Sequence, residues 1–132
     1  MGNPRRTNGA RRTATLKWLR SLRMDCWICG LPIDYGLPAR HPLSFECDEI
    51  VPVSKGGSPY ARDNVAPAHR CCNGWRSAKP AALVETIRAI AASRFGAWTS
   101  PEQFVSLAKS VEANGNQLSR AAVRRVETST DW

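Results

Sequence analysis

Cys26-Trp27-Ile28-Cys29-Gly30 opens a stretch that His69-Arg70-Cys71-Cys72-Asn73 closes, and between them runs Asp48-Glu49-Ile50-Val51-Pro52-Val53-Ser54-Lys55-Gly56-Gly57. Thiolates and imidazole suit zinc. Two short ligand pairs set apart by a longer segment let one tetrahedral ion pin together parts of the chain that are distant in sequence. The spacing assigns Cys26, Cys29, His69 and Cys72 as ligands of a structural Zn²⁺. A lone Cys-x-x-Cys would equally serve redox chemistry, but the second pair and the lack of a βαβ pattern around the first favour metal. Cys71 adjoins Cys72, and adjacent residues seldom reach one ion together, so Cys71 is read as a thiol outside the set. Spacing alone leaves the choice between Cys71 and His69 open. Cys47, lying outside both pairs, reads as a small core residue.

A chain of 132 residues is one domain of ordinary size with a modest core that a metal staple would reinforce. Five cysteines, an odd number, and no apolar leader argue against a disulfide scaffold and for a reducing, cytoplasmic setting, here a bacterial host cell. No stretch approaches the ~20 apolar residues of a spanning helix, so no membrane partner is expected. The formal net charge of +8 makes polyanions the expected partners, and arginine outnumbers lysine, which favours bidentate phosphate contacts.

That charge is uneven. Met1 to Met24 holds no acidic residue, while Arg5, Arg6, Arg11, Arg12, Lys17, Arg20 and Arg23 form a basic arm. Its first part reads as disordered; from about Ala10 a helix is expected, with Leu16, Leu19 and Leu22 as its apolar face and Trp18 widening it. After a Pro- and Gly-punctuated loop over Leu31 to Pro42, Leu43 to Val53 reads as a strand, Ser54 to Asn64 as a hairpin connection and Val65 to Ala68 as the return strand. A helix starts near Arg70 to Asn73. Pro80 sits where a further helix can begin, and Leu83, Val84, Ile87, Ile90 and Ala91 give it an apolar stripe that stops at Gly96. Ser100-Pro101-Glu102-Gln103 reads as an N-cap, a first-turn proline and a capping-box partner, ahead of Phe104, Leu107, Ala108 and Val111 at helical spacing. Asn114-Gly115 ends that helix. A short basic helix from Ser119 to about Val126 and a loose tail from Glu127 to Trp132 are expected beyond it. The expected class is α+β, divided as a basic arm and helix over 1–24, a zinc-stabilised core over 25–80 and a helical extension over 81–132.

Cys26-x-x-Cys29, Asp48-Glu49-Ile50-Val51-Pro52, Lys55-Gly56-Gly57, Asn64-Val65 and His69-x-x-Cys72-Asn73 together resemble the HNH endonuclease family in its small phage and actinobacterial form. The resemblance covers roughly Asp25 to Lys79, and the ending Thr128-Ser129-Thr130-Asp131-Trp132 is similar to tails in that phage group. It implies a ββα-metal (His-Me finger) core in which a hairpin and the next helix hold one catalytic divalent ion while the zinc is structural. By position, Asp48 and Asn73 match the family's metal ligands, and Asn64 matches the asparagine that ties the hairpin loop. An Asp carboxylate with an Asn carbonyl is a hard oxygen site suited to Mg²⁺ or Mn²⁺. The implied activity is hydrolysis of phosphodiesters in double-stranded DNA, by nicking or cutting both strands. Phage relatives of this kind act as partners of terminase in packaging or as mobile cutters, and nothing in the sequence chooses between these roles.

Glu49 departs from the pattern, which has histidine as general base there. Three readings compete: Glu49 is the base; Glu49 adds a metal ligand while metal-bound water or hydroxide attacks; or efficient chemistry has been lost. His41, in a Pro-flanked loop, reads as a surface residue. Lys55, Arg62, Arg70, Arg76 and Lys79 join the arm as candidate DNA-phosphate contacts. The rival class is a zinc-stabilised DNA-binding protein, or a silent nuclease subunit acting with a partner such as terminase. A zinc-ribbon interaction factor fits the basic arm less well.

Overall fold

The computed structural model describes residues 9–115. Helix α1 (Gly9–Ser21) precedes strand β1 (Phe45–Glu49), two short 3-10 turns (Val53–Lys55 and Arg62–Asn64), strand β2 (Val65–His69), and helices α2 (Arg70–Arg76), α3 (Ala81–Phe95) and α4 (Pro101–Ala113). The class is α+β, with a two-stranded antiparallel sheet. Arg5 and Arg6, the helix expected from Ser119 and the tail from Glu127 lie outside the described residues.

The hairpin pairs Phe45 with His69 through to Glu49 with Val65. Pro67 stands opposite Cys47 and cannot donate to the ladder, which a two-stranded sheet tolerates because both strands are edges. Its carbonyl accepts from Trp27 N at 3.0 Å, fastening the first cysteine pair to β2. Strand β2 runs straight into α2, with His69 at the N-cap. Residues three apart on a helix share a face, so Asn73 and Arg76 look the same way.

The leucine stripe expected on α1 is corrected. Leu19 is buried, but its companion inside is Thr15, while Leu16 (38%) and Leu22 (45%) remain exposed. Arginine and aromatic partners dock the helix instead. Arg62 lies over Trp18 at 4.7 Å, Arg20 over Phe45 at 5.8 Å, and Thr15 Oγ1 donates to Tyr60 O at 2.6 Å. Guanidinium planes cover apolar rings while their charge stays hydrated, so this packing leaves no mark in an apolar period.

Helix α3 buries Val84, Ile87 and Ala91, and Leu83 faces out, contrary to the expected stripe. Pro80 is the N-cap residue of this helix rather than its first helical residue. At α4, Ser100 Oγ accepts from Gln103 N at 3.1 Å while Gln103 Oε1 accepts from Thr99 N at 2.7 Å, a capping box returned one residue early. Phe104 of α4 packs edge-on to Trp75 at 5.5 Å and against Trp98 at 4.9 Å. One apolar cluster joins Cys26, Ile28 and Cys29 to Trp75, Val84, Ile87, Phe104 and Val111, so α3 and α4 close the core over the cysteine knuckle. Cys47, expected in the core, is only half-buried.

Ser77 caps α2 with φ 52° and ψ −127°, a conformation that costs a residue with a Cβ and suits glycine. Ser77→Gly is expected to raise the unfolding free energy by about 1 kcal/mol in chemical denaturation, relief of strain outweighing the added freedom of the unfolded chain.

Candidate functional site

Cys26, Cys29, His69 and Cys72 are all buried, and their ligand atoms lie within 4.8 Å of one another. His69 Nδ1 stands 3.4 Å from Cys29 Sγ and 3.9 Å from Cys72 Sγ. Tetrahedral zinc with bonds of about 2.0–2.3 Å spaces its ligands by roughly 3.5–3.8 Å, so these separations fit such an ion. The imidazole is oriented for it: Nε2 donates to Pro32 O at 2.9 Å, leaving the Nδ1 lone pair toward the sulfurs. Gly30, at φ 79°, turns the knuckle back so that its N–H reaches Cys26 O at 2.8 Å. Cys71 is half-buried and outside the group, because successive helical residues point about 100° apart. His69 is therefore the fourth member.

Without an ion these groups share protons unevenly. Hydrogen bonds from Cys29 and Cys72 hold the Cys26 thiol well below its usual range, and contacts with Cys26 and Cys29 push Cys72 well above it. Burial alone would lower His69, but its bonds to the Cys26 and Cys29 sulfurs outweigh that and carry it up to about 10. A set of thiols whose charge must be balanced by protons is chemically suited to a dication.

Beside this staple a cavity of about 670 Å³ is lined in part by Arg12, Asp48, Glu49 and Asn73. Three expected site residues, Asp48, Glu49 and Asn73, thus meet on one pocket. Alternation along β1 puts Glu46 and Asp48 on one face, where α2 crosses them. Asn73 Nδ2 donates to Glu46 Oε1 at 2.9 Å, and Arg76 Nη1 donates to both Asp48 oxygens at 2.9 Å. Trp27 Nε1 adds a bond to Asp48 Oδ2 at 3.0 Å. Burial raises the Asp48 carboxyl, with Arg76 and Trp27 opposing. Burial and the charge of Glu49 likewise push the Cys47 thiol up to about 11. Glu49 faces Arg12 at 3.8 Å.

The fourth residue, Asn64, acts on the loop. Its Oδ1 accepts from Val51 N at 2.9 Å and its Nδ2 donates to Val51 O and Ser58 O. Gly57 passes so close that a Cβ there would stand 1.7 Å from Val51 O and 2.9 Å from Asn64 Nδ2. Gly57→Ala is expected to break this tie, costing about 3 kcal/mol of stability and leaving Glu49 poorly placed; urea denaturation and loss of pocket function measure the two.

The candidate phosphate contacts divide. Arg76 is corrected: it is 0% exposed and also donates to the carbonyls of Glu49, Ile50 and Lys79, so no phosphate reaches it. Lys79 is turned inward, over the Trp75 ring at 4.7 Å and 3.5 Å from the Glu112 carboxylate. Arg11, Arg12, Lys17, Arg20, Lys55, Arg62 and Arg70 remain exposed, although Lys55 Nζ donates to Ala78 O and Arg70 lies 3.9 Å from Glu46. His41 Nδ1 accepts from Leu43 N within its own loop. Sequence reasoning missed Glu46 and Trp27. Strand alternation was a signal for Glu46; for Trp27 there was none.

The fold and site define a small α+β protein in which a buried Cys3His cluster, compatible with structural zinc, clamps a hairpin–helix unit beside a pocket that contains two carboxylates. Comparison with protein-family models, with curated proteins and with solved structures finds no match. Among the described residues no helix is long and apolar enough to cross a membrane.

Proposed function

We propose that the protein is a divalent-metal-dependent DNA endonuclease of the HNH, ββα-metal kind, stapled by zinc on the four Cys3His ligands. The observation that carries this reading is the meeting of Asp48, Glu49 and Asn73 on one pocket at the junction of hairpin and helix, beside that cluster. Asp48 Oδ1 and the carbonyl oxygen of Asn73 are hard donors that suit Mg²⁺ or Mn²⁺. Such an ion, when bound, polarises the scissile phosphate and stabilises charge on the departing 3′ oxygen.

Glu49 takes the proton of a water in line with the scissile bond, the water oxygen bonds to phosphorus, and the P–O3′ bond breaks with its electron pair going to O3′, which takes a proton from solvent to leave a 5′ phosphate and a 3′ hydroxyl. Asn64 holds the backbone at Val51, two residues beyond Glu49, and so keeps the base in place. Arg11, Arg12, Lys17, Arg62 and Arg70 give an exposed basic surface for the duplex. Arg12 opposite Glu49, and Arg76 on Asp48, favour a second reading: a DNA-binding protein whose carboxylates are spent on ion pairs.

Nicking of supercoiled plasmid by zinc-loaded protein with Mg²⁺ or Mn²⁺ separates the two. Cleavage is expected for the wild type, none for Asp48→Asn, and a rate roughly 10²-fold lower for Glu49→Gln. Tight duplex binding with no cleavage under either metal would leave the binding reading in its place.

A further inference from the structure

We infer that Arg76 is a resident cation that keeps the Asp48 carboxylate half-closed, so that a divalent ion is held in the pocket only together with a nucleic-acid phosphate. The inference rests on the nuclease reading and concerns how this chain's own groups set the affinity of that site.

Arg76 belongs to the fold. Its guanidinium, wholly buried, donates to three backbone carbonyls at Glu49, Ile50 and Lys79, lies 5.2 Å over the Trp27 ring and bridges both oxygens of Asp48. Such a group does not swing aside when a ligand arrives. A carboxylate oxygen offers two lone pairs. Asp48 Oδ2 uses both, on Arg76 and Trp27; Oδ1 uses one and keeps one. The pair is also electrically neutral. In the same pocket Arg12 faces Glu49, so both pocket carboxylates already have a counter-ion. Asn73 spends its side-chain nitrogen on Glu46, and no described residue donates to its side-chain oxygen Oδ1.

What the chain offers a hard dication is therefore one lone pair of a neutralised carboxylate and one neutral carbonyl. Divalent magnesium and manganese take about six oxygens, and a site with so little net charge holds them weakly. A phosphodiester supplies the missing negative oxygens, and the same phosphate draws Arg12, which is half exposed, away from Glu49. Binding free energies are reciprocal, so the metal must also strengthen phosphate binding.

The test is Mn²⁺ binding followed by electron paramagnetic resonance on zinc-loaded protein, with and without a phosphorothioate duplex that resists cleavage. For the wild type, the duplex is expected to raise Mn²⁺ affinity by about 10-fold or more. Arg76→Gln is expected to raise Mn²⁺ affinity without DNA by about 10-fold and to shrink the effect of DNA. Trp27→Phe, which frees one lone pair of Asp48 and leaves Arg76 in place, should do the same by a smaller factor and serves if the first variant loses zinc or fold. Tight Mn²⁺ binding by the wild type without DNA, or variants whose affinity does not rise, overturns the role of Arg76 and leaves the nuclease reading standing. A wild type that binds duplex yet takes no Mn²⁺ in either condition overturns both.

Discussion

If zinc sits on the Cys3His cluster, treatment with a chelator, or replacing Cys72 by serine, is expected to abolish the cooperative fold of the core. Cys26, Cys29 and Cys72 lie inside the same apolar cluster as Ile28, Trp75, Val84 and Ile87. Removing a dication from three buried thiolates and an imidazole leaves charge that only protons can balance, in a place where water cannot help. The knuckle would then hang on its apolar packing and a few hydrogen bonds, chiefly Trp27 N to Pro67 O and Trp98 Nε1 to Cys29 O at 2.8 Å. Structural zinc contributes about 10–16 kcal/mol in zinc-finger peptides, as much as the entire stability of an ordinary domain, about 5–15 kcal/mol. Metal analysis should find one zinc per chain in wild type, Cys71→Ser and Cys47→Ser, and none in Cys72→Ser, with loss of the near-ultraviolet circular dichroism of the packed tryptophans. A metal-free protein that still melts cooperatively within a few degrees of the wild type would show that apolar packing alone holds the knuckle.

Arg76→Met is expected to cost about 3–5 kcal/mol, because it leaves the Asp48 carboxylate buried without its partner and three carbonyls without a donor. The double variant with Asp48→Asn should lose less than the sum of the single losses, the signature of a direct pair. The pH dependence has a definite sign. Burial raises the folded-state pKa of Asp48 against the opposing pull of Arg76, and without Arg76 it rises further. A folded state that holds the proton more tightly than the unfolded chain is favoured as pH falls toward that pKa and disfavoured above it. The deficit of Arg76→Met should therefore narrow as pH falls from neutrality, as measured by urea denaturation. A deficit below about 1 kcal/mol at neutral pH would place Arg76 outside the scaffold.

Much of this molecule can be read along the chain because it depends on local chemistry. Cys-x-x-Cys puts one pair on a tight turn and His-x-x-Cys puts the other at the start of a helix, and the four residues so assigned do converge. Ser100-Pro101-Glu102-Gln103 starts a helix where capping chemistry says it must, and Gly96 and Asn114 end helices at their C-caps. A strand is expected from the β-branched and aromatic content of Leu43 to Val53, but β1 covers only Phe45–Glu49 and leaves Ile50, Val51 and Val53 beyond it, since pairing to β2 stops at Glu49 opposite Val65. Leu16 and Leu22 misled because α1 docks through Thr15 and through cation–aromatic contacts with residues far along the chain.

The sequence by itself determined the two cysteine-bearing pairs, the α+β class and the helix ends, all of which follow from neighbours within a few residues; that His69 rather than Cys71 joins Cys26, Cys29 and Cys72 was decided by the fold. Only the tertiary structure decided where the charges are spent. Arg76 reads as one more surface cation beside Arg70 and Lys79, and it becomes the buried partner of Asp48 because α2 crosses β1 and brings residues 28 apart in sequence to 2.9 Å. Periodicity says which face of an element a side chain occupies. It does not say what that face meets, and the energy of a charge is set by what it meets.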